Sequence, residues 1–212
     1  MPSSRPMPES LFQALARHAR LQPDAIACAS RFRLASYRKL WSRVERATAR
    51  LQGEWRIRPG DIVAYQGRGH PDAIVLFVAL ARCGAVLLPL EHPASRAAFA
   101  GLAERPGLAL ALFDDELDPG PDASRIAPAA FPLSTLIGQP CPYRATVAPP
   151  DTAACSLLRL AGDGSLRPLS LDQLGEETAG EGREVHGALF DANVFGPVVL
   201  SALHAGDTLT WR

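Results

Sequence analysis

Apolar positions recur at helical spacing in some blocks of the chain and form short unbroken runs in others. Behind Ser10, a typical N-cap, the spacing predicts a helix over 11–21. That helix should end before Pro23, because the residue preceding a proline is disfavoured in the helical region. A second helix should begin near Ser36 and run to Leu51. Both helices are therefore expected to pack one face on a core.

Short apolar runs predict buried strands between the helices. A third helix, PDAIVLFVALARC, starts on Pro71 and is closed by Gly84, and a fourth is predicted over 94–104. This alternation favours an α/β fold of wound parallel or mixed sheets flanked by helices. The predicted strands are AIACAS at 25–30, IVAYQG at 62–67, AVLLPLE at 85–91 and LALALF at 108–113.

The composition of the chain changes after residue 113, where prolines become frequent. Such density excludes long helices, so 114–150 is expected to be an irregular connector with at most short strands. It divides the chain into a first α/β subdomain at 1–113 and a second, shortened α/β segment at 151–212. Within the second segment, a helix over 194–206 and a closing strand at 207–211 are predicted.

Composition and charge exclude several classes of function. The 212 residues are 47% hydrophobic and 21% charged, as in ordinary globular proteins. Lys+Arg and Asp+Glu are balanced at 22 each, so neither nucleic acid nor membrane is an expected partner. No signal-type leader or membrane-span-like run is present, which predicts a cytoplasmic protein. The cysteines are too scattered for a metal or disulfide pattern and indicate a reducing compartment: Cys28, Cys83, Cys141 and Cys155.

Arginine supplies almost all of the positive charge, and Lys39 is the only lysine in the sequence. The predicted helix from Ser36 to Leu51 carries a row of arginines on its polar positions. These arginines are expected to form a solvated surface, because no aromatic residues are interleaved with them as in single-strand nucleic-acid sites. They are Arg38, Arg43, Arg46 and Arg50.

The stretch CSLLRLAGDGSLRPLSLDQL at 155–174 predicts a strand, a glycine-bearing loop and the start of a helix. Gly162 and Gly164 would let backbone N–H groups approach an anion, and Ser165 follows them. Asp163 lies between the glycines and brings a negative charge where a phosphate loop needs a positive one. These residues predict either a phosphate loop of altered chemistry or the remnant of one.

Several segments, in this order, resemble the N-terminal half of the adenylate-forming superfamily. Its members are acyl- and aryl-CoA synthetases, luciferases and the adenylation domains of nonribosomal peptide synthetases. The resemblance covers nearly all of the chain and implies the fold of the N-terminal subdomains of an AMP-binding ligase. The segments are LFQALARHARLQPDAIAC, LASYRKL, RIRPGDIVAY, ALARCGAVLLPLEHP and ALFDANVFGPVVLSALHAGDTLTW.

The resemblance also identifies what this chain lacks. In the family, a loop ending in Pro-Lys-Gly wraps the ATP phosphates. If Pro168 aligns with that proline, Leu169 stands at the lysine; an alignment anchored on Gly162 puts Ala161 at a family serine and requires an insertion. Both registers lose the lysine, and we find no counterpart of the family's later metal, ribose, hinge and catalytic-lysine motifs. No catalytic residue and no metal ligand is therefore predicted, and no cofactor is expected.

Two further residues have a functional and a structural interpretation. Asp191 stands where amino-acid-activating members place the aspartate that meets the substrate's amino group. Alternatively, Asp191 or Asn193 caps the helix that begins near Val194. His186 lies near a histidine of some acyl-activating members, and its alternative role is structural. These two residues are the predicted remnant of a substrate pocket. His70 is expected to cap the helix that begins at Pro71.

The first functional hypothesis is a non-catalytic homologue that serves as a binding, assembly or regulatory subunit, in acyl or aminoacyl biosynthesis. Trp211 ends an apolar strand where the family sheet would continue, so a second copy or a biosynthetic partner protein is expected to cover that edge. The first alternative is one half of a split AMP-forming ligase, completed by another chain and using ATP, AMP and Mg. The second is a sensor of a small carboxylate or acyl thioester.

Overall fold

The computed structural model describes residues 10–30, 33–67, 69–90, 108–115, 129–146, 154–160, 165–176, 184–185 and 188–211. Within these ranges helices and strands alternate. In chain order they are α1 (Leu11–Leu21), β1 (Ile26–Ala29), β2 (Leu34–Ser36), α2 (Tyr37–Gly53), β3 (Ile62–Gln66), α3 (Pro71–Cys83), β4 (Val86–Pro89), β5 (Leu108–Phe113), β6 (Ala130–Pro132), α4 (Leu133–Ile137), β7 (Cys155–Leu160), β8 (Leu166–Ser170), α5 (Leu171–Glu176), β9 (Glu184–Val185), a π-helical segment π1 (Phe195–Leu200), α6 (Ser201–Ala205) and β10 (Leu209–Trp211).

Two sheets form the framework of the protein. The first has the strand order β2-β1-β10-β9 and is parallel except for β2. The second has the order β6-β5-β3-β4-β7-β8 and is parallel except for β8, which runs antiparallel to β7. Helices cover these sheets, and strands such as β4 are buried on both faces. The predicted α/β fold with wound parallel or mixed sheets flanked by helices is confirmed.

The local signals at the helix ends act as predicted. Ser10 and Gln13 form a reciprocal capping box at the start of α1. The Nδ1 atom of His70 accepts a hydrogen bond of 3.2 Å from the backbone N–H of Asp72, so His70 caps α3. Gly84 ends α3 with φ +69°, in the left-handed region that favours glycine. The predicted positions of these helix ends are correct, because each signal depends on neighbouring residues only.

Helix α3 is buried on almost all sides. Residues 73–81 are all buried, and the helix packs against α2, β4 and β7. The Phe77 ring meets the Phe195 ring edge to face, with centroids 4.7 Å apart. This packing holds α3 against its neighbours, and the loop that follows β3 leads into its first residue.

The predicted helix over 194–206 begins with π geometry. The carbonyl of Val194 accepts hydrogen bonds of 3.0 Å from the N–H groups of both Val198 and Val199. Pro197 has no N–H and its ring crowds the preceding turn, which accounts for the widened turn. Regular α-helix resumes in α6, which ends at Gly206 with φ +87°.

The proline-rich stretch is more structured than expected. Besides the short strand β6, which pairs in parallel with β5, it contains the short helix α4. Leu133, Leu136 and Ile137 of α4 are buried. The expectation of at most short strands is therefore wrong at α4, because a single helical turn is too short to show an apolar period. The predicted helix over 94–104 lies outside the described residues.

The stretch 155–174 also differs from its prediction. Residues 166–170 form strand β8 instead of belonging to a loop and helix start, and β8 pairs with β7 along its whole length. Helix α5 begins at Leu171, so the predicted start of a helix at the end of this stretch is confirmed. The chain after the glycines thus returns along β7 as a hairpin, because Leu169 and Ser170 are buried at the end of β8.

Strand pairing crosses the predicted subdomain boundaries, which themselves stay a prediction. Strand β4 pairs with β7, and β1 pairs with β10. Strand β10 lies between β1 and β9 and has no free edge. The prediction of an uncovered edge at Trp211 is therefore wrong. The indole N–H of Trp211 also donates a hydrogen bond of 2.9 Å to the carbonyl of Gly69. Among the described strands, β9 is the edge on that side.

Candidate functional site

The hairpin of β7 and β8 positions the predicted phosphate-loop remnant. Gly162, Asp163 and Gly164 lie outside the described residues, so their predicted role stays a prediction. Ser165 is described, is exposed and directly precedes β8. The hairpin therefore presents the end of this loop to solvent.

Leu169, which aligns with the family lysine when Pro168 is matched to the family proline, is part of the core. It pairs with Leu157 across the hairpin and is only 3% exposed. Pro168, directly before it, is exposed. An ammonium group at residue 169 would be removed from water among apolar side chains. In this register, residue 169 is a packing position.

Asp191 closes the turn that leads into π1. Its Oδ1 atom accepts a hydrogen bond of 2.8 Å from the backbone N–H of Asn193. Its own carbonyl accepts hydrogen bonds of 3.1 Å and 2.9 Å from the N–H groups of Val194 and Phe195. Asp191 therefore stabilises the turn ahead of π1, whereas the N-cap of π1 is Val194, which makes no side-chain cap hydrogen bond. The predicted helix cap at Asp191 is corrected to this turn. Recognition of an amino group by Asp191 stays a prediction, and His186 lies outside the described residues.

Behind Asp191, aromatic side chains connect the turn to the second sheet. The Phe190 ring lies 6.1 Å from the Tyr65 ring and 4.7 Å from the Phe195 ring, measured between centroids. The hydroxyl of Tyr65 donates a hydrogen bond of 2.7 Å to Oδ1 of Asp114. Tyr65 is in β3 and Asp114 follows β5, so this polar pair lies at the carboxyl ends of two parallel strands.

Sequence reasoning missed the pair of Tyr65 and Asp114. The available signal was an aspartate directly after the apolar strand β5, since residues after neighbouring parallel strands meet at one edge of the sheet. Gly67 is required beside them, because a Cβ there would lie 1.9 Å from the Tyr65 hydroxyl oxygen. The close approach of backbone and phenol explains this glycine.

A cleft of about 270 Å³ lies at the beginning of α3, where the loop before the helix meets α2 and the β1–β2 turn. Arg33 and Arg43 both pair with Asp72 in this cleft. Sequence reasoning assigned Arg43 to a solvated surface and did not connect it with Arg33. The lining residues are Cys28, Arg33, Leu34, Ala35, Lys39, Arg43, His70, Pro71 and Asp72.

Arg50 also departs from the expected solvated face of α2. It is 3% exposed, and its guanidinium donates to carbonyls at the end of α4 and beyond. A buried arginine is stable there because carbonyl oxygens and the Glu54 carboxylate accept its N–H groups. Arg38 and Arg46 are exposed as expected.

The buried cysteines are protonated packing residues. Burial raises the pKa of Cys28 to about 12, and the nearby Asp72 carboxylate contributes. Burial likewise raises the pKa of Cys83 to about 12. Neither thiol is available as a thiolate nucleophile near neutral pH.

Two kinds of site are not found within the described ranges. No group of three or more His, Cys, Asp or Glu side chains there is arranged to hold a metal ion. No helix in the same ranges is long and apolar enough to cross a membrane.

The fold is that of an adenylate-forming ligase. The structure of unliganded O-succinylbenzoate coenzyme A synthetase from Bacillus subtilis superimposes with a TM-score of 0.76, over 93% of this chain and 43% of that chain. Their sequences are 15% identical, so this similarity establishes the fold alone. The family model described as AMP-binding enzyme matches residues 15–138, more than half of the chain. The chain therefore belongs to the AMP-binding enzyme family.

Two curated relatives are similar over shorter stretches. A carboxylic acid reductase of Mycobacterium tuberculosis is 41% identical over 64 residues, which cover 30% of this chain and 6% of the reductase. A D-alanine–D-alanyl carrier protein ligase of Bacillus licheniformis is 31% identical over 81 residues, or 38% of this chain and 16% of the ligase. The matched region thus spans less than half the length of the synthetase and a small part of the two curated relatives.

Proposed function

We propose that this chain is, by itself, a non-catalytic member of the AMP-binding enzyme family that serves as a binding or assembly subunit in acyl or aminoacyl metabolism. The burial of Leu169 carries the proposal. The leucine stands at the family's phosphate-binding lysine in one register, and Lys39, the only lysine in the sequence, belongs to α2. The hairpin therefore has no lysine for a phosphate.

Energetics support weak nucleotide binding at the hairpin. A hydrogen bond from a charged donor contributes about 1.5–3 kcal/mol, which corresponds to roughly 10- to 150-fold in affinity. Asp163 adds a negative charge to the same loop, and its repulsion of phosphate lowers the affinity further. ATP, AMP and Mg are therefore not expected to bind tightly at this loop.

The partner in this proposal is a second copy of the chain or a biosynthetic protein. Among the described strands β9 is an edge of the first sheet, and the edge of a sheet is where a further strand can be added. Val185 of β9 is buried while Glu184 is partly exposed, so one face of this edge is already packed. Strand addition at β9 would extend the first sheet.

The test is calorimetric titration of the purified protein with Mg-ATP up to millimolar concentration, with its mass measured by light scattering on the same sample. We expect no saturable heat at the hairpin and a mass above that of one chain at high protein concentration. Micromolar binding of ATP would overturn the non-catalytic assignment. A monomer at every concentration, with no protein partner recovered that depends on β9, would overturn the assembly role.

The second candidate is one part of an AMP-forming ligase that another polypeptide, or further sequence, completes. The observation that favours it is coverage: the chain matches only 43% of the synthetase structure. ATP, AMP and Mg would then bind where the parts meet. ATP–pyrophosphate exchange that appears only after addition of the complementary part would establish this candidate, whereas exchange that stays absent in the mixture would remove it.

A further inference from the structure

The cleft at the beginning of α3 collects positive charge from separate parts of the chain. Arg33 comes from the turn between β1 and β2, while Lys39 and Arg43 come from successive turns of α2. Asp72 is the only carboxylate among the lining residues that the structure describes. Three cationic side chains, Arg33, Lys39 and Arg43, thus face one carboxylate, and their positive charges exceed its negative charge by two.

Asp72 positions the two arginines and leaves most of their N–H groups free for a ligand. Nη1 of Arg43 lies 2.9 Å from Oδ1 of Asp72, and Nη1 of Arg33 lies 3.2 Å from Oδ2. A guanidinium has five N–H donors. No described residue accepts the other side-chain N–H groups of Arg33 and Arg43, and the Lys39 ammonium likewise has no partner among the described residues.

The other described residues that line the cleft add no negative charge. Leu34, Ala35 and Pro71 are apolar, and Cys28 keeps its proton near neutral pH because it is buried. Asp72 is 14% exposed and is held in place by both arginines. The cleft is therefore a cationic depression with an apolar side, large enough for one tetrahedral anion and a small attached group.

The position of the cleft also suits a ligand site. It lies beyond the carboxyl end of β1 and next to the loop that follows β3, which is where open α/β sheets bind ligands. Two contacts hold its back wall: the Trp211 indole bonds to Gly69, and α3 is packed on almost all sides. This wall fixes Asp72 on α3, and the contacts of Asp72 with Arg33 and Arg43 orient both guanidinium groups.

We propose that this cleft binds a doubly charged phosphate group, free or as a small phosphomonoester, with Arg33, Lys39 and Arg43 as its donors. Two observations point to phosphate over a single carboxylate: the excess of two positive charges, and the guanidinium forks that match phosphate oxygens. This site is separate from the β7–β8 hairpin and does not depend on the proposed function.

The test is titration of the protein with inorganic phosphate, with acetate as a carboxylate probe and glycerol 3-phosphate as a phosphomonoester. Binding is followed by calorimetry and by ¹H–¹⁵N chemical shifts. Lys39→Gln and Arg33→Gln remove donors from the cleft. Arg38→Gln is the matched control, because Arg38 is on the same helix, is exposed and pairs with Asp24 outside the cleft. Circular dichroism confirms that each variant is folded.

We expect saturable phosphate binding with shifts at the cleft residues. Each donor variant should weaken binding at least about fivefold, and Arg38→Gln less than about twofold. A tighter constant for glycerol 3-phosphate than for inorganic phosphate would identify a phosphomonoester as the ligand class, and the reverse would identify free phosphate. No saturable binding, acetate bound as well as phosphate, or equal weakening by Arg38→Gln would each overturn the proposal. If ATP binds weakly and Lys39→Gln abolishes that binding, then ATP binds at this cleft and not at the hairpin.

Discussion

Arg50 of α2 donates a hydrogen bond of 2.6 Å from Nη2 to the carbonyl oxygen of Pro140. The same guanidinium donates to the carbonyls of Thr135 and Leu136, the latter at 3.3 Å, and to Oε2 of Glu54 at 2.9 Å. One buried side chain thus satisfies carbonyls at the end of α4, whose dipole favours a cation. Arg50 fastens the proline-rich stretch to α2.

Replacement of Arg50 by methionine should destabilise the fold by about 2–4 kcal/mol, because buried carbonyls lose their donor. Urea unfolding followed by circular dichroism measures the change. Arg46→Met is the control, since Arg46 is exposed on the same helix and should change the stability by less than about 0.5 kcal/mol. Equal effects of the two substitutions would contradict a fastening role for Arg50.

Gly206 requires both its backbone angle and its lack of a side chain. It has φ +87°, and a Cβ there would lie 2.4 Å from Cε1 of His18. Gly206→Ala should therefore lower the free energy of unfolding by more than the roughly 1–2 kcal/mol that a left-handed backbone costs a residue with a side chain. Gly60→Ala, with φ +87° and open space around the Cβ, isolates the strain. Thermal unfolding of both variants should show the larger loss for Gly206→Ala, and equal losses would exclude a clash with His18.

The hydroxyl of Tyr65 should stabilise the fold through its hydrogen bond to Asp114. Tyr65→Phe keeps the packed ring and removes the donor, so a loss of about 1–2 kcal/mol is expected in urea unfolding. Tyr143→Phe is the matched control, because Tyr143 is exposed and its hydroxyl has no partner among the described residues. A neutral Tyr65→Phe would show that water replaces the phenol at Asp114 without cost.

Leu169 should not accept a lysine. Leu169→Lys removes a buried apolar side chain, worth about 1.5–3 kcal/mol, and buries an ammonium in addition. We expect a loss of at least about 3 kcal/mol in chemical unfolding and no gain of ATP binding in the folded fraction. Arg167→Lys, on the exposed side of β8, should be nearly neutral. A stable Leu169→Lys protein that binds Mg-ATP would refute the assignment of this position to the core.

Alkaline pH should destabilise the protein through its buried thiols. The pKa values of Cys28 and Cys83 rise from the ordinary 9.0 to about 12 in the folded protein. Between these values the unfolded chain releases protons that the folded chain retains, so the free energy of unfolding falls as pH rises through that window. Each thiol contributes up to about 1.4 kcal/mol per pH unit. Urea midpoints between pH 8 and 10 should fall less steeply in Cys28→Ala; an unchanged slope would exclude Cys28 as a source.

The sequence by itself determined the elements whose signals are local. The capping box of Ser10, the proline start and glycine end of α3, and the apolar run of β5 each depend on adjacent residues, so their bounds could be predicted from the chain alone. The order of these segments also carried the resemblance to the adenylate-forming superfamily. The turn at Asp191 was equally accessible, because the residues that form it are adjacent in the chain.

Only the tertiary structure decided which residues meet. Arg50 has the same local pattern as Arg46, but packing against α4 buries one and leaves the other in water. Strand β8 forms because β7 lies beside it, and β10 is covered because β9 pairs with it. The cationic cleft needs the β1–β2 turn, α2 and the start of α3 together. Such contacts depend on how the chain is brought back on itself, and no local spacing in the sequence encodes them.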